Sequence, residues 1–256
     1  MAEEKRQFPT EVIDLPSKGY FYPEDNPLSS GKVEIKYMTA REEDILTSSN
    51  LIQKGIVLDK LLEALVVSDI NMDDVLIGDK NAIMVASRVL AYGKDYPITF
   101  TDSSSGRKRD ETVDLTKLDD KQVDFKKFTK GFNEHEFELP VSKRKLTFKF
   151  LAQSDEKKIS SELKAMKKFT KESGIDPEIT TRLKASILAL DGDRDRNIIN
   201  QFVDNEFLSV DSLAYRTHLT KLTPDVDLTI MVELDDGEVE EVAVPVTATF
   251  FWPSSK

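Results

Sequence analysis

The chain contains no cysteine, one tryptophan and two histidines among its 256 residues. The absence of cysteine excludes disulfides, zinc sites built on thiolates and a cysteine nucleophile. The ten glycines do not cluster, and the chain has neither a phosphate-binding P-loop nor a dinucleotide-binding glycine motif. These absences remove several common classes of enzyme from consideration.

Long apolar segments are also missing. No stretch approaches the roughly 18 consecutive apolar residues that a membrane-spanning helix needs. The first residues lack the apolar core of a signal peptide. We therefore expect no membrane association and a cytoplasmic location.

Metal-ligating patterns are weak. His135 and His218 have no sequence neighbours at metal-ligand spacing. Residues 191–196, DGDRDR, resemble the start of a calcium loop, which needs glycine at its sixth position and glutamate at its twelfth. Arg196 and Phe202 occupy those positions, so we interpret the segment as a turn between helices, with Asp193 or Asp195 as an N-cap. We expect no metal, no cofactor and no catalytic residue.

Acidic residues outnumber basic ones, giving a formal net charge of −11 and a pI of about 4.9. Such a surface repels a phosphate backbone, so we expect no nucleic-acid partner. Hydrophobic residues make up 39% of the chain and charged residues 32%. Because the apolar residues come in periodic clusters, this balance is typical of a globular protein.

The periodicities predict an α+β fold made of two tandem, diverged copies of a strand–helices–β-hairpin unit. The predicted organisation is a flexible N-terminal arm at 1–12, a first repeat at 13–118, a polar, lysine-rich linker at 119–133 and a second repeat at 134–256. The first repeat has a predicted strand at 31–37, helices from Thr39, at 57–67 and at 81–92, and a hairpin at 97–115. The second has strands at 134–140 and 145–151, helices at 155–173, 177–190, 194–205 and 209–222, and a hairpin at 227–252.

The tandem arrangement rests on features that recur in the same order. The stretch at 31–46, GKVEIKYMTAREEDIL, corresponds to RKLTFKFLAQSDEKKI at 144–159. LIGD at 76–79 is set against LDGD at 190–193, and the hairpin glycine Gly106 against Gly237. The last pair is further apart, which predicts an insertion in the second copy around 197–210.

Two aromatic segments are candidate protein-binding sites. Tyr20, Phe21 and Tyr22 lie in a turn-rich stretch, which indicates an extended segment pinned to a surface. We favour packing on the protein's own core over an exposed docking site. Near the end of the chain, strand alternation favours burial of Phe250 and Trp252 and leaves Phe251 open. Exposed, Phe251 and Trp252 would be typical interface anchors.

Three stretches in the first hundred residues carry a resemblance to a known family. They are IDLPSKG at 13–19, MTAREEDIL at 38–46, and GDKNA at 78–82 with the following ASR and YG. They resemble the T4-type bacteriophage baseplate protein family, whose members include a hub assembly protein of the contractile tail. The motif residues are Asp14, Leu15, Pro16, Ser17, Lys18, Gly19, Met38, Thr39, Glu42, Glu43 and Asp44. Within them, Thr39 and Glu42 have the spacing of a helix capping box.

The resemblance implies a non-enzymatic component or assembly chaperone of the baseplate hub. It would bind other phage baseplate hub or tail proteins, in the host cytoplasm during tail assembly or within the virion tail. Two alternatives stay open, a permanent structural tail subunit and a carboxylate- or metal-dependent hydrolase. The residues do not define the oligomeric state.

Overall fold

The structure, a computed structural model, describes residues 9–170, 177–246 and 248–251. Its helices are α1 (Ala40–Leu46), α2 (Ser49–Lys54), α3 (Val57–Leu65), α4 (Ile77–Tyr92), α5 (Gln153–Thr170), α6 (Glu178–Ser186), α7 (Arg196–Gln201) and α8 (Ser209–Leu222). Its strands are β1 (Thr10–Asp14), β2 (Lys32–Lys36), β3 (Asp95–Thr101), β4 (Lys108–Asp114), β5 (His135–Glu138), β6 (Lys145–Phe148), β7 (Ile187–Leu190), β8 (Thr229–Glu233) and β9 (Val239–Ala243). All strands pair antiparallel within small sheets, so the fold class is α+β, as predicted.

The first half of the chain builds a layer of helices on the β1–β2 pair. Strand β2 alternates, so Val33 and Ile35 point into the core. Helix α3 buries Leu61, Leu62 and Leu65 completely, and α1 and α4 pack beside it. The chain leaving α3 then runs along β2, where Val66 forms a bridge with Ile35.

The second half builds a three-stranded sheet, β5–β6–β7. Leu146 and Phe148 of β6 are fully buried, and the ring of Tyr215 from α8 lies 5.5 Å from that of Phe148. A helix was predicted over 177–190, but it ends at Ser186 and Ile187–Leu190 forms β7. A short buried apolar run fits helix and strand equally well, and here pairing with β6 decides between them.

Each half contributes one hairpin, β3–β4 and β8–β9. Both turns were predicted at their glycines, and Gly106 and Gly237 adopt φ values of 69° and 87°, which few other residues tolerate. The last predicted strand, by contrast, is too long. Strand β9 ends at Ala243, and residues 248–251 form a helical turn.

The two halves share one hydrophobic core. Leu76 forms a bridge with Ala152, and the amides of Ile77 and Gln153 donate across the junction to the carbonyls of Leu151 and Val75 at 3.0 and 2.9 Å.

The predicted boundaries at 119–133 and 1–12 need correction. Residues 119–133 are not a free linker, because Asp120 forms a bridge with Val226 and the rings at 125 and 128 pack on the core. The arm cannot extend to residue 12, because β1 begins at Thr10; residues 1–8 lie outside the described residues.

Candidate interaction surface

The IDLPSKG and GDKNA motifs meet in a buried hydrogen-bond cluster. The Ser17 amide and hydroxyl donate to the Asp79 carboxylate at 2.9 and 2.6 Å, and the Tyr22 hydroxyl donates to it at 2.5 Å. Tyr22 in turn accepts the Leu76 amide at 2.9 Å. Ser17 and Asp79 are fully buried. These motif residues therefore fix the turn after β1 onto the start of α4.

Burial dominates the electrostatics of this cluster. It raises the pKa of Asp79, although the hydrogen bonds from Ser17 and Tyr22 act in the opposite direction. Burial and the neighbouring Asp79 carboxyl together raise the pKa of Tyr22 well above its usual value. Burial and the contacts within the cluster account for both pKa shifts, because the carboxylate and both hydroxyls have hydrogen-bond partners there.

The remaining IDLPSKG residues shape the turn. Leu15 and Pro16 are buried, whereas Asp14 and Lys18 are exposed. Asp14 accepts from Lys32 at 2.7 Å, and the Lys18 ammonium lies 5.3 Å from the Phe125 ring centre. Gly19 is required at φ 72°, since a Cβ there would lie 2.2 Å from the Ser29 carbonyl oxygen.

The aromatic segment at 20–22 packs on the protein itself. Phe21 is 2% exposed and lies in edge contact with the rings of Phe128 and Phe150. Tyr20 is partly exposed and packs against Phe125. Phe21 and Tyr22 are thus wrong as candidate docking residues, and the preferred interpretation of self-packing is correct.

The second motif forms the predicted capping box at the start of α1. The Thr39 amide and hydroxyl donate to Glu42 at 2.9 and 2.6 Å, and Lys36 donates to the same carboxylate at 2.8 Å. Burial raises the pKa of Glu42, but these hydrogen bonds outweigh it and lower the pKa to about 2. Met38, before the cap, is partly buried, while Glu43 and Asp44 are exposed. Of the three acids in this motif, Glu42 carries the capping role.

Two further carboxylates make similar contacts in the second half. Asp155 at the start of α5 accepts from Lys149 at 2.8 Å and from the Ala152 amide at 3.1 Å. Asp211, the third residue of α8, is fully buried and accepts from the amides of Val141 and Ser142 at 2.8 and 2.9 Å. Asp193, which the sequence sets against Asp79, lies instead in a turn after β7.

Both histidines pack against aromatic rings. His135 lies among the rings of Phe21, Phe128 and Phe150, and its Nε2 atom is buried without a hydrogen-bond partner. Burial lowers the pKa of His135 to about 4, despite the neighbouring Glu134. His218 stacks on Phe137 with ring centres 4.3 Å apart. Across the described residues, no group of three or more histidines and carboxylates is placed to hold a metal ion.

The acidic turn at 191–196 uses its carboxylates locally. Asp191 accepts the Lys145 amide at 2.7 Å and the Arg144 guanidinium at 2.5 Å. Asp195 caps α7 by accepting the Asn197 amide at 2.8 Å. The N-cap role predicted for Asp193 or Asp195 is therefore filled by Asp195.

The aromatic residues near the C-terminus are buried. Phe250 and Phe251 are 1% and 0% exposed. Arg88 donates from Nε to the Phe250 carbonyl at 2.9 Å, and the Tyr96 ring lies 4.8 Å from that of Phe250. The predicted burial of Phe250 is confirmed, and Phe251 is wrong as an exposed anchor. Trp252 lies outside the described residues.

An exposed apolar surface lies at the start of α8, and we call it the α8 face. It comprises Leu208, Val210 and Leu213, which are 48%, 62% and 58% exposed. Val210 and Leu213 are three positions apart and so are neighbours on the helix. Sequence reasoning missed this surface, although the helix itself was predicted with its observed ends.

A second surface feature is an open cleft of about 510 Å³ between strands β4 and β8, which we call the hairpin cleft. Its walls are the outer edges of the two hairpins. Its acidic lining residues are Glu111, Asp114, Asp119, Asp227 and Glu233, and its one basic lining residue is Lys117. The sequence predicts both hairpins but not that they lie side by side.

Comparison with known proteins adds no relative from which a role could be transferred. No protein family, no curated protein and no solved structure that was compared with the chain matches it. Among the described helices, none is long and apolar enough to cross a membrane.

Proposed function

We propose that this chain is a non-enzymatic component or assembly chaperone of the contractile-tail baseplate hub of a T4-like bacteriophage, acting through protein–protein binding. The proposal begins from the resemblance of the IDLPSKG, MTAREEDIL and GDKNA motifs to the T4-type baseplate family. The observation that carries protein binding is the exposed α8 face, because clusters of exposed apolar side chains are typical of interaction sites.

We also propose that the chain consists of two tandem, diverged copies of one unit. Lys36 and Glu42 are six residues apart and paired at the start of α1, and Lys149 and Asp155 have the same spacing and role at the start of α5. The bridge between Ile35 and Val66 has a counterpart in the pairing of Phe148 with Ile187.

The correspondence of α4 with α8 replaces the one drawn from the sequence. Asp79 and Asp211 are each the third residue of a helix that leads into a hairpin. Both carboxylates are fully buried and accept amides from the turn between the first two strands of their unit. Asp211 is therefore the counterpart of Asp79.

This correspondence indicates a role for the α8 face, because the equivalent residues of α4 form an interface. Its counterparts on α4 are Leu76, Gly78 and Asn81, which lie against the second half of the chain: Leu76 bridges Ala152, Gly78 lies against the Pro224 carbonyl, and Asn81 donates to Asp225 at 2.9 Å. The first copy thus uses this face as an interface, and we infer that the second copy uses it for a partner.

The test is reconstitution with purified baseplate hub and tail proteins of a T4-like phage. The variant L208S/V210S/L213S should retain the melting temperature and lose hub binding by at least tenfold in Kd. The control V12S/I52S removes side chains of comparable exposure, 59% and 45%, from the first half and should bind normally. Equal binding by both variants would exclude the α8 face, and no binding by the unmodified protein to any hub or tail protein would exclude the function.

A permanent tail subunit is distinguished from an assembly chaperone by mass spectrometry of purified virions. Stoichiometric presence in the virion indicates a subunit. Absence from the virion, together with binding during assembly in the host cytoplasm, indicates a chaperone.

A further inference from the structure

The hairpin cleft is closed at both ends. At one end Asp120 forms a bridge with Val226, and the Asp227 amide donates to the Asp119 carbonyl at 2.7 Å. At the other end Arg109 donates to the Glu233 carbonyl at 2.7 Å. Between these closures the two strands separate, and they belong to different sheets. The gap therefore lies between two strand edges that are joined to each other at its two ends.

Backbone groups of both strands point into this gap. The Leu115 amide donates to the Lys94 carbonyl beside β3. Because alternate residues of a strand face opposite edges, the backbone groups of Thr112 and Asp114 point away from β3. The Val244 amide likewise donates to the Leu228 carbonyl, so the backbone groups of Thr229 and Met231 point away from β9. Within the described part of the chain, no backbone hydrogen bond joins these outward groups to another strand. The Thr112 amide turns instead to the Glu111 side chain at 3.2 Å.

The other edge of the first hairpin, formed by β3, is protected by a proline. Pro97 of β3 pairs with Thr112 of β4 at a position where its backbone faces away from β4. Proline has no amide hydrogen to donate and is a common protection of edge strands. No proline occurs in β4 or β8, so the two edges that face the cleft remain able to pair.

The excess of acidic residues in the cleft lining favours a basic occupant. Glu111, Asp119 and Glu233 line it and make no ion pair with the rest of the described chain. Among the lining residues Lys117 is the one basic side chain, and Asp114 is paired with Lys94 at 2.6 Å outside the cleft lining. Met231, 67% exposed, supplies an apolar contact. These features match an extended segment that alternates basic and apolar side chains.

We propose that the hairpin cleft binds an extended, basic segment of a partner polypeptide, which adds as a strand between β4 and β8. The inserted segment would hydrogen-bond to outward backbone groups of Thr112 on one side and Met231 on the other. It would join the two hairpins into one five-stranded sheet. This surface is separate from the α8 face, and the inference does not depend on the identity of the hub proteins.

The probe is a five-residue peptide of alternating lysine and valine, short enough to lie between the two closures, measured by isothermal titration at about 0.15 M salt to screen nonspecific attraction. The control peptide has the same sequence with N-methyl groups on alternate residues, which retains the charge and blocks strand pairing. The unmodified peptide should bind at least tenfold more tightly than the methylated one. Equal affinities would mean that charge alone drives binding and would overturn the proposal.

Proline variants locate the site. Thr112→Pro and Met231→Pro each remove an amide that faces the cleft and should weaken binding at least tenfold, whereas Glu241→Pro changes the far edge of β9 and should not. Hydrogen exchange on the unmodified protein needs no folded variant. Bound peptide should slow exchange of the Thr112 and Met231 amides, and unchanged exchange at both would overturn the proposal.

Discussion

Glu42 is the residue through which the capping box stabilises the fold, and Glu42→Gln tests this. The substitution keeps the shape of the side chain but removes the charge that accepts from Lys36 and from the Thr39 amide and hydroxyl. A carboxyl whose pKa falls from 4.5 to about 2 on folding binds its proton roughly 300-fold more weakly in the folded protein. That ratio corresponds to about 3 kcal/mol of stability.

The pH dependence follows from the sign of this shift. Because folding lowers the pKa of Glu42, its contribution is complete above pH 4.5 and is lost as the pH falls towards 2. The assay is urea unfolding followed by circular dichroism at several pH values between 7 and 2.5. The unmodified protein should exceed Glu42→Gln by up to about 3 kcal/mol at pH 7, and the difference should shrink at the acidic end.

The matched control is Asp44→Asn, which removes an exposed carboxylate from the same helix. Its stability should lie within about 0.5 kcal/mol of the unmodified protein. Two results would refute the reasoning: a difference between the unmodified protein and Glu42→Gln that does not change with pH, or an Asp44→Asn effect as large as that of Glu42→Gln.

Three further substitutions probe the interior. Asp79→Ala should cost about 3–5 kcal/mol in urea unfolding, because it leaves the buried donors of Ser17 and Tyr22 unpaired; the exposed Asp74→Ala is its control, and equal losses would contradict this role. His135→Phe should flatten the pH profile of stability between pH 6.5 and 4, since the histidine pKa falls to about 4 on folding and acidification therefore costs up to about 3 kcal/mol; an unchanged profile would contradict its burial as the neutral form. Gly78→Ala should lower the melting temperature, because its Cβ would lie 1.8 Å from the Pro224 carbonyl oxygen; an unchanged melting temperature would show that the junction can yield.

Local signals explain what the sequence predicts well. The capping box at Thr39, the glycine turns of both hairpins and helix α8 all depend on residues close together in the chain. Helix α2 was not predicted because its six residues carry no apolar periodicity. Strand β7 was assigned to a helix because an apolar run of four residues has no period of its own.

Long-range contacts explain what the sequence does not predict. Ser17 and Asp79 are 62 positions apart, and no pattern within either motif indicates that they meet. The sequence identifies these residues as parts of motifs. It does not show that Ser17 and Asp79 bind each other and so hold the turn after β1 against α4. The α8 face was missed for a related reason, since the sequence gives the apolar residues of a helix but not which of them another element covers.

The contact at Gly78 also limits how molecules of this protein can associate. Under the proposed correspondence, Val210 occupies on α8 the position that Gly78 holds on α4. Gly78 lies so close to the Pro224 carbonyl that even a Cβ would collide with it. Under this correspondence, the Val210 side chain would prevent a second molecule from forming the same junction on α8. An interface that recurs head to tail produces an open filament. If the chain is two copies of one unit, as proposed, Val210 prevents such growth and leaves an apolar face on α8 for a different partner.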